Sequence, residues 1–298
     1  VHSLSYLEDY QCGILIDDPA QINDAINDIV HDYDNYAKKL IYMLRDSVAS
    51  KRSILIKYTK HFINKMKFII DFIRRIRIQT IRQLISHKSL FPLPETAIIF
   101  APHPDDEVFG CCGLIQRMLA KGKRVELIVM TGGGKSHSGC CTLDEATLIA
   151  RRRDLTVKAA VLYGLGKEHI HFLDFPDGEI SVEHPELARL RALLDALLKE
   201  CRDAVVYYPH RQGEGWPDHV HTAEIAAALC NSHHTQITQY EYCVWFWFYN
   251  CWKIDWCNAR ILRMDKREYC CKQEAINAYI LPQAPAACPG AASCPRCS

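Results

Sequence analysis

Residues Thr96–Glu107 read TAIIFAPHPDDE. Its first half is an apolar run, and its second half places one histidine and three acids within positions 103–107. A short apolar run of this kind is typical of a buried β-strand. Charged side chains this dense at the end of a buried strand cost free energy unless they are paired or hold an ion. The segment is therefore the first candidate for a functional site.

The composition is that of a globular protein and argues against several other classes. The chain has 298 residues, of which 49% are apolar and 24% charged, which is enough to bury a sizeable core. A formal net charge of +1 gives no whole-chain case for binding nucleic acid. No apolar run reaches the roughly 18 residues that a membrane span needs. The 15 cysteines are scattered, and we interpret most of them as small buried side chains in a reducing cytoplasm.

Segments with a strand pattern alternate with segments of helical pattern beyond residue 95. The predicted strands are 96–101, 125–131, 169–173, 204–208 and 240–248, and the predicted helices are 107–120, 143–163, 185–199 and 219–229. This order predicts an α/β fold, with a parallel sheet flanked by helices on both faces. In such sheets ligands bind beyond the carboxyl ends of the strands, which is where the acidic segment lies.

His103 and Asp106 are candidate metal ligands. They stand three residues apart in a tight turn that enters a helix, so both side chains can face one point. Imidazole and carboxylate groups suit Zn²⁺ and similar divalent ions. Asp105 lies between them and cannot easily share their direction, which leaves it free to meet a metal-bound water. A catalytic zinc site needs a third protein ligand, and another strand end must supply it.

The third ligand is expected from Trp216–His221, which reads WPDHVH. This segment follows the fourth predicted strand and opens a helix, so it reaches the same edge of the sheet. We take His219 as the ligand and Asp218 as a nearby acid that can support a ligand without binding the ion itself. His210 and His221 are rivals for this position.

Several motifs fall in the order found in one enzyme family. They are PHPDDE at 102–107, TGGG at 131–134, ARRRD at 150–154, LGKEHIHFLDFPDGEI at 165–180, PDHVHTAE at 217–224, YEYCVWFW at 240–247 and KQEAINAY at 272–279. Through these segments, residues 96–282 resemble the LmbE-like/PIG-L-type N-acetylglucosaminyl deacetylases.

The resemblance implies a Rossmann-like fold that binds one divalent metal ion, usually zinc. It also implies hydrolysis of the N-acetyl group of an N-acetylglucosamine-type unit, which releases acetate and leaves a free amine. The metal ligands that it implies by position are His103, Asp106 and His219. Asp105 would be the general base that deprotonates the metal-bound water. Arg151 and Asp177 match positions that help to bind the sugar.

One position departs from the family pattern. Members often carry a histidine three places before the last metal ligand, where it is proposed to stabilise the oxyanion or to protonate the leaving amine. Trp216 stands there in this chain. The role would pass to His210 or His221, which we keep as candidate catalytic residues. The departure also leaves open a catalytically weak or inactive module that binds sugar or serves as a scaffold.

The glycine-rich segment Gly132–Ser136 does not match a nucleotide-binding pattern. A phosphate loop would need glycine at position 129, which is Val, and the GxGxxG pattern would need it at 137, which is His. We expect no nucleotide cofactor, and we expect these glycines to let the backbone pass close to the sugar or metal site. A metal-dependent phosphoesterase remains an alternative, although phosphate chemistry often uses two metals and so more carboxylates.

The first ninety residues change sharply in charge. Residues 1–50 hold nine acids and three Lys/Arg, whereas residues 51–90 hold eleven Lys/Arg and one acid, so we place a boundary near residue 50. The segment GILIDDP at 13–19 and the helical pattern after it resemble the C-terminal segment of GT-B glycosyltransferases. This resemblance covers residues 6–44 and predicts a remnant of such an enzyme over 1–50. An ordinary small helical cap is the alternative.

Residues 51–92 are predicted to form a basic amphipathic helical linker, an N-terminal extension to the α/β domain. Such a helix can lie on an anionic membrane surface or pack on its own protein with a solvated basic face. We expect the deacetylase-like domain over 93–282 and a disordered tail over 283–298. The expected location is the cytoplasm, at the inner face of the membrane if the helix binds lipid. The expected partner is an N-acetylated sugar conjugate, not nucleic acid.

Overall fold

The structure is a computed structural model that describes residues 92–136, 144–201, 203–245 and 258–280, together with a few helical residues between 72 and 83. The chain divides into two compact units, Val1–Arg82 and Gln83–Ser298. The predictions for residues 1–50, for most of 51–92 and for the tail 283–298 lie outside the described residues. Among the residues that are described, no helix is both long and apolar enough to cross a membrane.

Strands and helices alternate through the second unit, as predicted. The strands are β1 Thr96–Ala101, β2 Arg124–Thr131, β3 Ile170–Phe175, β4 Ala204–Pro209 and β5 Thr238–Tyr242. The helices are α1 Asp106–Ala120, α2 Glu145–Tyr163, α3 Glu186–Glu200, α4 Pro217–Ser232 and α5 Lys266–Ile280, and a short 3₁₀ helix spans Lys167–His169. Most bounds lie within a few residues of the predicted ones, but β5 ends at Tyr242, well before the predicted end. The backbone leaves the strand there because the N–H groups of Val244 and Trp245 donate to the Glu214 carboxylate.

The five strands form one parallel sheet in the order β3-β2-β1-β4-β5. This arrangement confirms the predicted α/β class. The chain moves outward from β1 through β2 to β3 and then returns to the other side of β1 for β4. The order therefore reverses between β1 and β4, and in open parallel sheets the crevice at such a point binds ligands.

The side chains of β1 alternate between two apolar cores, one on each face of the sheet. Ala97 and Ile99 join the core that includes residues of α1, α2 and α5. Ile98 and Phe100 join the core formed with α3 and α4. Because both faces are covered, a continuous apolar run is what a central strand requires, and all of these side chains are fully buried.

Glu126 is a buried acid near the amino end of β2, away from the switch point. Its Oε1 pairs with Arg124 Nε at 2.6 Å and His169 Nδ1 at 2.9 Å, and its Oε2 pairs with His171 Nε2 at 2.8 Å. Burial alone would raise the pKa of Glu126, but these hydrogen bonds outweigh it and lower the pKa to about 2. The carboxylate therefore stabilises the folded state only while it is ionised.

We expect the contribution of Glu126 to the free energy of unfolding to disappear as the pH falls from 4.5, its ordinary pKa, toward 2. Over this window the unfolded chain binds the proton more readily than the folded one, so acid favours unfolding. The loss should be about 1–2 kcal/mol, since the partially exposed partners are screened by solvent. Urea unfolding of wild type and Glu126→Gln at pH 7, 4 and 3 should show their difference shrinking with pH. A difference that stays constant would contradict the assignment.

Candidate active site

Three strand ends meet at the candidate site. The turn after β1 brings His103 to the carboxyl edge, and it is fixed there because Thr131, at the end of β2, donates from its N–H and its hydroxyl to the Pro102 carbonyl. Asp177 follows β3, and the loop after β4 leads to His219 on α4. The acidic segment and the second His-containing segment thus share one edge, as predicted.

Asp106 lies at the centre of the cluster. Its Oδ2 is 3.3 Å from His103 Nδ1 and 3.2 Å from His219 Nε2, and it accepts the His103 backbone N–H at 3.0 Å. The side chain is almost fully buried. Burial alone would raise the pKa of Asp106, but the two imidazoles hold it well below its usual range. The ionised form of Asp106 is therefore favoured between the two imidazole nitrogens.

His219 has the bonding pattern of a metal ligand. Its Nδ1 pairs with Glu214 Oε2 at 3.0 Å, and both side chains are fully buried. Its Nε2 is buried without a hydrogen-bond partner and faces Asp106. A carboxylate that holds one ring nitrogen and leaves the other free toward a common point is how proteins orient histidine ligands.

His103 repeats this pattern from the other side. Its Nε2 lies 2.9 Å from Asp218 Oδ2 and 3.3 Å from Asp177 Oδ1, which leaves Nδ1 toward Asp106. In the described part of the chain, His103, Asp106 and His219 form one group whose ligand atoms lie within 4.8 Å of one another. Two imidazoles and one carboxylate are a donor set that suits zinc and leaves further coordination positions open. The residues present therefore fit a single divalent ion.

A second group shares His103 and joins it to Asp177 and Asp218. Asp218 Oδ2 already accepts the Gly178 N–H at 2.7 Å, and Asp177 Oδ2 accepts the Lys135 N–H at 2.8 Å. Both aspartates thus already accept a backbone N–H in addition to their contact with His103. We therefore favour the group centred on Asp106.

Asp105 stands beside the ligand group in an unusual backbone conformation. Its φ is 117°, in the left-handed region, and it is the residue that precedes α1. Its N–H donates to Glu107 Oε2 at 3.0 Å, which holds the turn. The side chain is 32% exposed, and burial together with the negative charge of Asp106 raises the pKa of Asp105 to about 7. A carboxylate with a pKa near neutrality is suited to accept and return a proton.

Glu107 connects the turn to α5. The carboxyl group is fully buried, and its Oε1 accepts the Tyr279 hydroxyl at 2.7 Å, while Tyr163 Oη lies at 3.5 Å. Burial is the main reason that the pKa of Glu107 rises to about 7. Tyr279 closes the KQEAINAY segment, so this segment supports the site through the hydrogen bond from the Tyr279 hydroxyl.

Arg152 is a residue of the site that the sequence analysis missed. Its Nη2 donates to the Pro104 carbonyl at 2.7 Å and lies 3.6 Å from Asp105 Oδ2. The glycine loop makes room for it, because a Cβ at Gly133, where φ is +66°, would come within 2.6 Å of Arg152 Nε. The sequence prediction chose the neighbouring Arg151, which is exposed on α2. The motif ARRRD offers three consecutive arginines and no signal that separates them.

The structure places the other predicted site residues in different surroundings. Asp177 reaches His103, as described above, whereas His221 is exposed and lies two residues beyond His219, on a different face of α4. His210 follows β4, with its N–H donating to the Tyr242 carbonyl and its Nε2 3.5 Å from Glu241 Oε2. These contacts direct His210 toward β5. The roles predicted for Arg151, His210 and His221 stay predictions.

Trp216 occupies the position at which the family pattern often has histidine. It precedes Pro217, the first residue of α4, and its carbonyl accepts the N–H groups of His219 and Val220 at 3.1 Å each. The indole is 43% exposed and stacks on Trp245, with ring centroids 6.1 Å apart. An indole supplies no proton acceptor, so this position cannot act as a base.

A parallel α/β domain with two histidines and an aspartate around one point, and a further carboxylate beside them, has side chains that could hold one metal ion. Residues 98–230 match the family model PIG-L, described as GlcNAc-PI de-N-acetylase. Over these residues the chain is therefore similar to the PIG-L, or LmbE-like, domain that the motifs predict.

Two relatives show how far the similarity extends. Diacetylchitobiose deacetylase of Thermococcus kodakarensis is 30% identical over 122 residues, which are 40% of this chain and 43% of the relative. The match thus spans less than half the length of that protein. The solved structure of N,N'-diacetylchitobiose deacetylase from Pyrococcus horikoshii, in complex with an inhibitor, has a TM-score of 0.52 and 21% identity. It covers 68% of this chain and 77% of that one, and it confirms the fold.

Proposed function

We propose that this chain is a metal-dependent hydrolase that removes the N-acetyl group from an N-acetylglucosamine-type glycoconjugate or glycolipid. The observation that carries the proposal is the convergence of His103 Nδ1, Asp106 Oδ2 and His219 Nε2 on one point beside Asp105. The similarity of residues 98–230 to the PIG-L domain and the relatives named for deacetylation of diacetylchitobiose support it.

The residues divide the chemistry between holding an ion and moving a proton. His103, Asp106 and His219 would hold one divalent ion, for which we propose zinc. Such an ion would polarise the amide carbonyl and make a water molecule more acidic. Asp105 then takes a proton from the attacking water, because its carboxylate is beside the ligand group but is not needed as a ligand.

Asp105 is also suited to complete the reaction. After it has accepted the proton, its carboxylic acid can donate to the nitrogen of the leaving amine when the C–N bond breaks. Acetate leaves, and the sugar keeps a free amine. The guanidinium of Arg152, 3.6 Å from Asp105, is a positive charge that favours the ionised form of the base between turnovers. Asp177 would bind the sugar, as the family pattern implies.

We extend the proposal to the place where the reaction occurs. The basic segment 51–92 would bring the domain to the cytoplasmic face of a membrane, so that a sugar attached to lipid could enter the strand edge. Binding to vesicles with and without anionic lipid, measured for the full chain and for a chain that begins at residue 83, tests this part. Equal binding of the two chains would contradict it.

The experiment that tests the proposal is acetate release from a panel of N-acetylglucosamine conjugates. The protein is assayed as purified, after chelation, and after addition of zinc, with an aryl phosphate as a parallel substrate. We expect release that chelation abolishes and zinc restores. Stoichiometric metal binding without acetate release would instead favour a sugar-binding or scaffold module. That alternative arises because Trp216 replaces the histidine of the family pattern. Metal-dependent phosphate release would favour the phosphoesterase.

A further inference from the structure

Two exposed indoles belong to the chain segments that contact the ligand His219 and its partner Glu214. Trp216 is 43% exposed and Trp245 is 40% exposed, although tryptophan is usually well buried. Their ring centroids are 6.1 Å apart and their planes are inclined by 29°, so the two rings are stacked. Apolar area left in water next to a polar site is typical of a surface that a ligand covers.

Both rings are tied to the ligand His219 by short connections. Trp216 lies three residues before it, and the Trp216 carbonyl accepts the His219 N–H. The backbone N–H of Trp245 donates at 2.8 Å to Glu214 Oε2, the same oxygen that pairs with His219 Nδ1. The position of the aromatic pair relative to the reaction centre is therefore fixed through backbone and a buried carboxylate, not through flexible side chains.

The chemistry of the two indole rings indicates which kind of ligand they bind. A pyranose ring has flat faces of C–H groups and hydroxyls around its rim, so its face can cover an indole while its hydroxyls stay in water or reach polar neighbours. Arg211 and Glu241, paired at 2.6 Å, and His210 beside them offer polar groups at the ends of β4 and β5, the strands that lead to the two tryptophans. This mixture of aromatic face and polar rim is typical of a sugar subsite and not of a purely apolar docking surface.

We propose that Trp216 and Trp245 form a stacking subsite for a second pyranose ring, linked to the N-acetylated unit at the metal-ligand group. The inference rests on the proposed function and adds to it a substrate class, glycosidically linked N-acetylated sugars rather than the free monosaccharide. It also gives a reason for an indole at position 216: that position contributes to substrate selection instead of proton transfer.

The test compares binding of N,N'-diacetylchitobiose and N-acetylglucosamine to the metal-free protein by calorimetry, so that it does not depend on turnover. We expect wild type to prefer the disaccharide, and we expect Trp216→Ala and Trp245→Ala each to reduce that preference about tenfold. Trp216→Phe should keep most of it, because a planar ring remains. Tyr269→Ala removes an exposed aromatic from α5 and serves as the matched control, with an unchanged preference.

The outcomes separate this inference from the proposed function. A preference for the disaccharide that depends on the tryptophans, in a protein that releases no acetate, would support the subsite and contradict the deacetylase. Acetate release with equal affinities in wild type and in both alanine variants would do the opposite. Phosphatidylcholine vesicles form a further arm. Binding to vesicles that Trp216→Ala removes, with no effect on the disaccharide, would overturn the subsite and assign the pair to a membrane surface. If Trp216→Ala fails to fold, the binding preference of Trp245→Ala for the disaccharide is the deciding measurement.

Discussion

Asp105→Asn is expected to lower kcat/KM for acetate release by about 10²- to 10⁴-fold, the usual contribution of a general base. An amide cannot accept the proton of the attacking water, whereas the size and shape of the side chain hardly change. Asparagine is the informative replacement because Asp105 has φ 117°, and Asn tolerates left-handed backbone far better than Ala does. Asp105→Ala would add backbone strain to the loss of the base.

The measurement is acetate release together with zinc affinity for the same preparation. Zinc should still bind to Asp105→Asn, since His103, Asp106 and His219 are intact. Asp154→Asn is the matched control, because Asp154 is an exposed aspartate on α2 whose ion pair is with Lys158 in the described part of the chain. The activity of this variant should equal that of wild type. If Asp105→Asn keeps more than a tenth of the activity, the base lies elsewhere, and His210 and His221 become the residues to test.

The pH profile gives a second readout of the same prediction. Only ionised Asp105 can accept a proton, so activity should fall as the pH is lowered through the pKa of Asp105. That pKa is about 7 in the absence of a cation, and a bound cation would move it lower, because a nearby positive charge favours the carboxylate. The acidic limb should therefore lie below pH 7 in the zinc enzyme and be absent from the residual activity of Asp105→Asn.

The sequence predicts the ligand group because its information is local. His103 and Asp106 are three residues apart at the end of a buried strand. The second His-containing segment reaches the same place because the carboxyl ends of parallel strands lie at one edge of the sheet. The choice between His219 and His221 needs the helical phase of α4. Since this helix begins at Pro217, His219 faces inward and His221 faces solvent.

Other parts of the site depend on tertiary contacts that no local pattern encodes. Arg152 reaches Asp105 because the loop at Gly133 leaves space for its guanidinium, and neighbouring arginines look identical in sequence. Tyr279 supports Glu107 from a helix more than 170 positions further along the chain. The buried acid Glu214 lies in an irregular loop, and the backbone N–H groups that hold it come from residues about 30 positions away.

Glu214→Gln is expected to weaken zinc binding by about 10- to 100-fold, the usual effect of removing an acid that orients a histidine ligand. Glu214 uses both oxygens: Oε1 accepts the Val244 N–H, and Oε2 accepts the Trp245 N–H and pairs with His219 Nδ1. The amide of glutamine has one oxygen, so one of these N–H groups would face an NH₂ group. The neutral amide would also polarise the imidazole less than the carboxylate does.

Zinc affinity should be measured by competition with a chelating dye, and thermal unfolding should be measured on the metal-free protein. Glu241→Gln is the matched control, because Glu241 is an acid on β5 that pairs with Arg211 and not with a ligand histidine. A lower unfolding temperature with unchanged zinc affinity would show that Glu214 stabilises the chain after β5 and does not affect the ligand histidine. A loss of affinity at temperatures where both proteins are folded would identify it as the group that keeps His219 Nε2 free. In that case the ligand set read from the sequence depends on an acid that the sequence does not reveal, since a histidine binds an ion only when its other nitrogen is held.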